Sequence, residues 1–309
     1  MGWLMNTDNS LQNPREKWVL IFSAWSSILI ISDFPDIIFS TIFGQVPEWL
    51  LWGKGGFLAS FFGLCFLWKT IRSLRPYVFV MLVLFVALTV SEWVKTSLWW
   101  QGLISETHPS FALGYLRPII RDIGVTLAVI AGLWIAKRRR SEFFFVKGQL
   151  NAPIGPIRWL GIRQGESWRT FGWIFALAAA LGVAVPTLLA MRPSPDMFLQ
   201  TARWLPAILL FSAINAFNEE MYYRATLLST LPQVIGKNHA LLINVVFFGL
   251  THYLYGSPPG VVGFLMTGFL AWLMGKSMME TKGLFWAWFI HFLPDVVIFF
   301  SYAIAWIQQ

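Results

Sequence analysis

Residues 204–232 form one long apolar stretch, yet it contains Asn218-Glu219-Glu220-Met221-Tyr222-Tyr223-Arg224. A charge at the bilayer centre costs at least ~2.5 kcal/mol. Two adjacent carboxylates and a guanidinium must therefore pair, line a polar cavity or do chemistry. On an α-helix Glu220 and Arg224 are four residues apart and share a face, which predicts an ion pair. Glu219 is turned ~100° from Glu220 and lacks that partner. The expectation is one structural carboxylate, Glu220, and one working carboxylate, Glu219. Two further apolar segments carry groups of complementary chemistry: His252, four residues after Phe248, and His291, four residues before Asp295. A Glu, two His and a further acid are the parts needed to activate water and stabilise an oxyanion. They would also suit a zinc ion held by Glu219, His252 and His291, or a proton relay. The plainer alternative is that each group is a buried polar contact between helices.

The elements that must position these groups follow from composition. Of 309 residues, 57% are hydrophobic and 12% charged, with 18 Trp and 28 Phe. A soluble domain carries about 25% charged residues, so the expected fold class is all-α, a polytopic membrane helix bundle of about eight to nine transmembrane helices. Cys65 is the single cysteine; it cannot form an internal disulfide or a thiolate cluster and is expected to pack. The net charge of +8 does not point to nucleic acid, because it is concentrated in one place. Residues 137–169 hold eight basic residues against Glu142 and Glu166, directly after an apolar helix. A basic juxtamembrane loop marks the cytoplasmic face.

Stretches long enough to span are 18–43, 56–74, 77–99, 118–136, 170–191, 204–232, 240–256, 260–279 and 284–307, nine in all. Alternating the loops between the two sides puts 16 Lys and Arg on one side and five on the other. That predicts a cytoplasmic N-terminus; the missing small-residue cleavage site predicts a retained first helix, and the compact length without targeting tails a multi-pass protein of a prokaryotic inner membrane. Three regions are expected: N-terminal transmembrane helices at 1–140 with no assigned role, a basic cytoplasmic interfacial loop at 141–169, and a C-terminal core at 170–309. Asp33 and Asp36 read as a solvated helix end, and Arg121 with Asp122 as a paired or snorkelling set. At ~1.5 Å per residue, Glu219 and His252 each lie about 18 Å from the cytoplasmic side, and His291 and Asp295 about 10 and 16 Å. These depths agree without having been imposed, so the four could meet in one polar chamber.

Glu219-Glu220-x-x-x-Arg224, then Phe248-x-x-x-His252, then His291-x-x-x-Asp295, on successive apolar helices, resembles the CAAX prenyl protease and bacteriocin-processing (CPBP) family. These are glutamate-type intramembrane endopeptidases related to the Ras-converting enzyme. The resemblance covers about residues 200–300 and implies that Glu219, assisted by His252, activates water. It further implies that His291 and Asp295 bind the oxyanion, while Glu220 and Arg224 brace the site and Phe248 packs beneath the catalytic His. The last position is often Asn in the family and is Asp here, so its oxyanion role requires a protonated carboxyl or an intervening water. No His-Glu-x-x-His, Gly-x-Ser-Gly or Gly-x-Gly-Asp is present, which sets aside the other intramembrane protease types. The expected partners are a peptide or protein substrate at the membrane and the lipid bilayer, with no nucleic acid. No cofactor is expected, zinc being the alternative. The competing functions are a proton-coupled transporter and a non-catalytic scaffold or immunity protein.

Overall fold

The computed structural model describes residues 13–103, 110–256 and 258–308, and among these it contains helices and no strands, with two isolated bridges in the 144–167 region. Six helices are long and apolar enough to cross a membrane, namely Trp49–Leu67, Lys69–Thr96, Phe111–Ile135, Trp168–Met191, Gly260–Thr281 and Phe285–Ile307. Two bent pairs raise the number to eight if each is one span. The first is Pro14–Ile31 with Phe34–Phe43, bent by 49°. It corrects the expectation of one continuous span over 18–43. The reason is Pro35, which has no N–H to donate to the Ile31 carbonyl and so starts a new helix. Ser32 turns extended at the break, and its Oγ accepts the Phe34 N–H at 3.3 Å.

The second pair is Pro195–Ala202 with Leu205–Ile235, bent by 75°. Ser194 caps the shorter helix by accepting the Met197 N–H, and Pro195 occupies the first turn, where a missing donor is harmless. The ninth expected span, 240–256, falls in helix Lys237–Tyr255, which does not join the apolar set. Its 19 residues include Lys237, Asn238, His239, Asn244, Thr251 and His252.

The chain divides into two compact units whose segments alternate along the sequence. One comprises the described residues of Met1–Val86, Val129–Phe143 and Tyr223–Gly275. In it Leu20, Ala24 and Ile28 are buried, as are Ile71, Leu74 and Val78, and Ser27 Oγ meets Tyr77 OH at 2.9 Å. Buried Asn244 donates to the Ala271 carbonyl at 3.1 Å, a polar tie between two apolar helices.

The other unit comprises Ala87–Ala128, Phe144–Tyr222 and Lys276–Gln309. Its centre is helix Phe285–Ile307, packed on Trp168–Met191, Leu205–Glu219 and Pro195–Ala202. Phe111, Ile119, Ile208, Phe211, Phe299 and Ala303 form its buried core. Gly172 lies directly against the Trp286 ring, leaving no room for a side chain. The outer face of Trp168–Met191 exposes Trp173, Leu177, Leu181, Val185 and Leu189. Such a continuous apolar stripe fits lipid and not water; this is an integral, multi-pass membrane protein.

The basic segment is not a loose loop. Gln149 N–H donates to the Thr281 carbonyl at 2.8 Å, Leu284 N–H to Val146 at 2.9 Å, and Trp286 Nε1 to Leu150 at 3.0 Å. Glu280 gathers the N–H of Gly155, the Trp168 indole and Lys276. Gly148 makes the dock possible: its φ is +79°, and a Cβ there would strike the Gly283 backbone. Gly148→Ala should therefore destabilise the protein by about 2–3 kcal/mol. Thermal unfolding in detergent measures it, and an unchanged midpoint would show that the docked backbone contributes little.

Candidate active site

Helix Leu205–Glu219 is apolar except for a few groups, and two of these, Asn215 and Glu219, stand four residues apart on one face. The chain then passes into a π-helical turn, Glu220–Ala225. A turn widened to i→i+5 bonding advances less per residue than the ~100° of an α-helix. Consecutive carboxylates at 219 and 220 can then approach the same neighbour, and that neighbour is His291. Its Nδ1 lies 2.9 Å from Glu220 Oε1. Its Nε2 lies 3.5 Å from Glu219 Oε2 and 3.7 Å from Asp295 Oδ1. Since His291 and Asp295 share a face of the last helix, one imidazole sits among three carboxylates. Glu220 is fully buried and Asp295 and His291 nearly so, whereas the Glu219 side chain keeps a quarter of its surface exposed.

Glu220 is the buried carboxylate of the two and Glu219 the more accessible one. The buried Glu220 carboxylate meets His291, and the Arg224 guanidinium lies flat over the Phe248 ring at 3.9 Å.

Asn215 joins the cluster from the same helix. Its Nδ2 donates to Glu219 Oε1 at 3.2 Å and to Asp295 Oδ2 at 3.0 Å. Trp288 Nε1 donates to the Ala213 carbonyl at 2.9 Å, fixing the last helix beside this one. Helix Phe111–Ile135 adds a third side. Thr126 Oγ1 donates to Asn218 Oδ1 at 2.6 Å, and one turn earlier the Asp122 carbonyl accepts the Tyr222 hydroxyl. These two bonds clamp the residues on either side of Glu219 and Glu220. Arg121, read with Asp122 as a paired or snorkelling set, acts on that carboxylate electrostatically and also reaches Glu92 at 4.0 Å.

His252, Phe248 and Arg224 belong to the other unit. There Phe248 is sandwiched: Arg224 covers it, Tyr223 meets it edge-on at 5.0 Å, and the His252 ring lies 4.3 Å away. His252 Nδ1 is 3.0 Å from the Phe248 carbonyl, which can only accept. Nδ1 therefore carries a proton, and in the neutral form of the ring Nε2 is the basic nitrogen. In the same unit Thr251 bonds Asp33, and Asp36 pairs with the buried Lys54. The solvated helix end expected at Asp33 and Asp36 is thus a pair of engaged acids.

Asn215, Thr126 and the Tyr222 hydroxyl were missing from the sequence-derived set. Asn215 had a detectable signature: a polar side chain in an apolar helix, four residues before a carboxylate already singled out. Thr126 carried none, since threonines in apolar helices usually bond their own backbone. Among the described residues no group of three His, Cys, Asp or Glu side chains converges as a metal site does.

Residues 201–297, about a third of the chain, match the family described as type II CAAX prenyl endopeptidase, Rce1-like. Searches among curated proteins and among solved structures found no match. The matched span takes in Glu219, Glu220, Arg224, Phe248, His252, His291 and Asp295, so the motif resemblance and the family match fall on the same residues. Helix Phe111–Ile135 and its clamp lie outside it.

Thr126→Val removes a donor and leaves the Asn218 oxygen buried, which should cost about 1–3 kcal/mol; Thr126→Ser should restore most of it. Glu220→Ala takes the carboxylate from a buried imidazole and should cost about 3–5 kcal/mol. Thermal midpoints of purified protein test both, and wild-type stability in Glu220→Ala would remove Glu220 from the scaffold.

Proposed function

We propose that this chain, whose residues 201–297 match the type II CAAX prenyl endopeptidase family, hydrolyses a peptide bond in a membrane-associated substrate, Glu219 acting as general base. The observation that carries the reading is the single imidazole of His291 held among Glu219, Glu220 and Asp295 inside apolar helices. Glu219 is the most solvent-accessible member of that group, as suits a base that must reach water. Glu219 takes a proton from water as the oxygen attacks the scissile carbonyl carbon. The carbonyl π electrons move to oxygen, and His291 holds the anion, Asp295 taking part as a protonated carboxyl or through a water. On collapse the C–N bond breaks and the proton passes from Glu219 to the departing amine.

His252 assists this base by the family resemblance; its basic Nε2 suits the part. Glu220, Arg224 and Phe248 shape the scaffold. The substrate class is a peptide or protein presented at the membrane, with a prenylated C-terminus as the family's own case. The basic segment 137–169 would face the cytoplasm, where substrates and anionic headgroups lie.

Glu219→Gln keeps shape and hydrogen bonding but removes the base. It should abolish turnover of a peptide substrate in detergent or liposomes while leaving the thermal midpoint within a few degrees. Near-normal turnover would remove Glu219 from the mechanism. We further propose that the water is activated without a metal. The candidate ligands Glu219, His252 and His291 lack a local metal-binding spacing, and a carboxylate base suffices for the chemistry. Elemental analysis of active protein is expected to find no stoichiometric transition metal. Near-equimolar zinc whose removal reversibly stops turnover would make Glu219 a ligand.

A further inference from the structure

Acyl transfer through a tetrahedral intermediate needs hydrogen-bond donors at the oxyanion, and this cluster is rich in acceptors. In its carboxylate form each of Glu219, Glu220 and Asp295 has lone pairs only. His291 commits Nδ1 to Glu220, so its ring has Nε2 alone to offer. Asp295 stands where the family often places a carboxamide, and its Oδ2 already accepts a hydrogen bond. The donor of that bond is Asn215, whose Nδ2 also reaches Glu219 Oε1. One neutral NH2 group therefore spans the base Glu219 and Asp295 of the oxyanion site, 3.2 Å from one and 3.0 Å from the other.

We propose that Asn215 is a catalytic residue, the amide donor of the oxyanion site, in the role a carboxamide at position 295 would otherwise fill. The inference rests on the reading of Glu219 as base. The reaction itself supplies the switch. When Glu219 accepts the proton of water it loses its negative charge, and its hold on the Asn215 N–H weakens. In the same step the negative charge appears on the former carbonyl oxygen. The N–H follows the charge, from Glu219 to the oxyanion, while the second N–H remains on Asp295 and keeps the carboxamide in plane. No electron or proton is left over: water's proton rests on Glu219, and the carbonyl's electron pair rests on the oxygen that Asn215 and His291 Nε2 bind. When the intermediate collapses, that pair returns to the carbonyl, the C–N bond breaks, and the proton passes from Glu219 to the amine.

The test uses the full-length protein and separates catalysis from scaffolding by resolving kcat from KM. Asn215→Leu removes the donor with little change of shape, and Asn215→Asp replaces it with an acceptor. Each should lower kcat by about 100-fold or more, as loss of an oxyanion donor does, with KM within about threefold of wild type. The exchange Asn215→Asp with Asp295→Asn moves the carboxamide across the 3.0 Å contact and should recover at least tenfold in kcat over Asn215→Asp alone. Wild-type kcat in Asn215→Leu overturns the inference. So does an exchange variant that regains its thermal midpoint but none of its kcat, since Asn215 would then be structural. Glu219→Gln, run alongside, keeps the two claims apart. If it is inactive while the Asn215 variants turn over normally, the inference alone fails; if it turns over normally, the base assignment fails with it.

Discussion

The organising constraint is that His291 needs counter-charges in a place where water cannot supply solvation. An imidazole and three carboxylates buried among apolar helices are tolerable only when each group answers another. Glu220 meets Nδ1, Glu219 and Asp295 flank Nε2, and Asn215 ties those two acids together. Moving any one helix would strand a charge, so the cluster sets the position of the last helix relative to Leu205–Glu219 as firmly as the apolar packing does. The core around Phe211 and Phe299 supplies the adhesion, and the polar cluster supplies the register.

The matched family segment does not hold this arrangement by itself. Thr126 and the Asp122 carbonyl come from a helix that precedes it by many residues, and they bond on either side of the two glutamates. The 144–167 segment is stitched to the ends of Gly260–Thr281 and Phe285–Ile307 by backbone and indole bonds. What looks in sequence like a basic linker is therefore part of the frame that presents His291 and Asp295.

Much of this was legible from residue types. Apolar length identified most of the membrane helices, and Glu219, Glu220, His291 and Asp295 stood out because charge is out of place there. Three features were hidden for physical reasons. Pro35 divides its apolar run, but hydropathy averages over a proline and cannot report a 49° bend. Glu220 meets His291 across 71 residues, and nothing in EMYYRA announces the π turn that brings it there. Asn215 and Thr126 act across helices at separations of 80 and 92 residues, which no local spacing encodes. Asp33 and Asp36 were misjudged because their partners, Thr251 and Lys54, also come from elsewhere in the chain.

The π turn at Glu220–Ala225 also changes how this region should be compared with relatives. One turn accommodates an extra residue, so the faces of the helix slip in phase at this point. A helical wheel drawn from Leu205 and continued past Ala225 assigns downstream residues to the wrong side. An alignment that opens a one-residue gap here would describe a relative whose helix regained regular α geometry. Such a gap, usually dismissed as an error inside a helix, would report that the two glutamates no longer face the same ring.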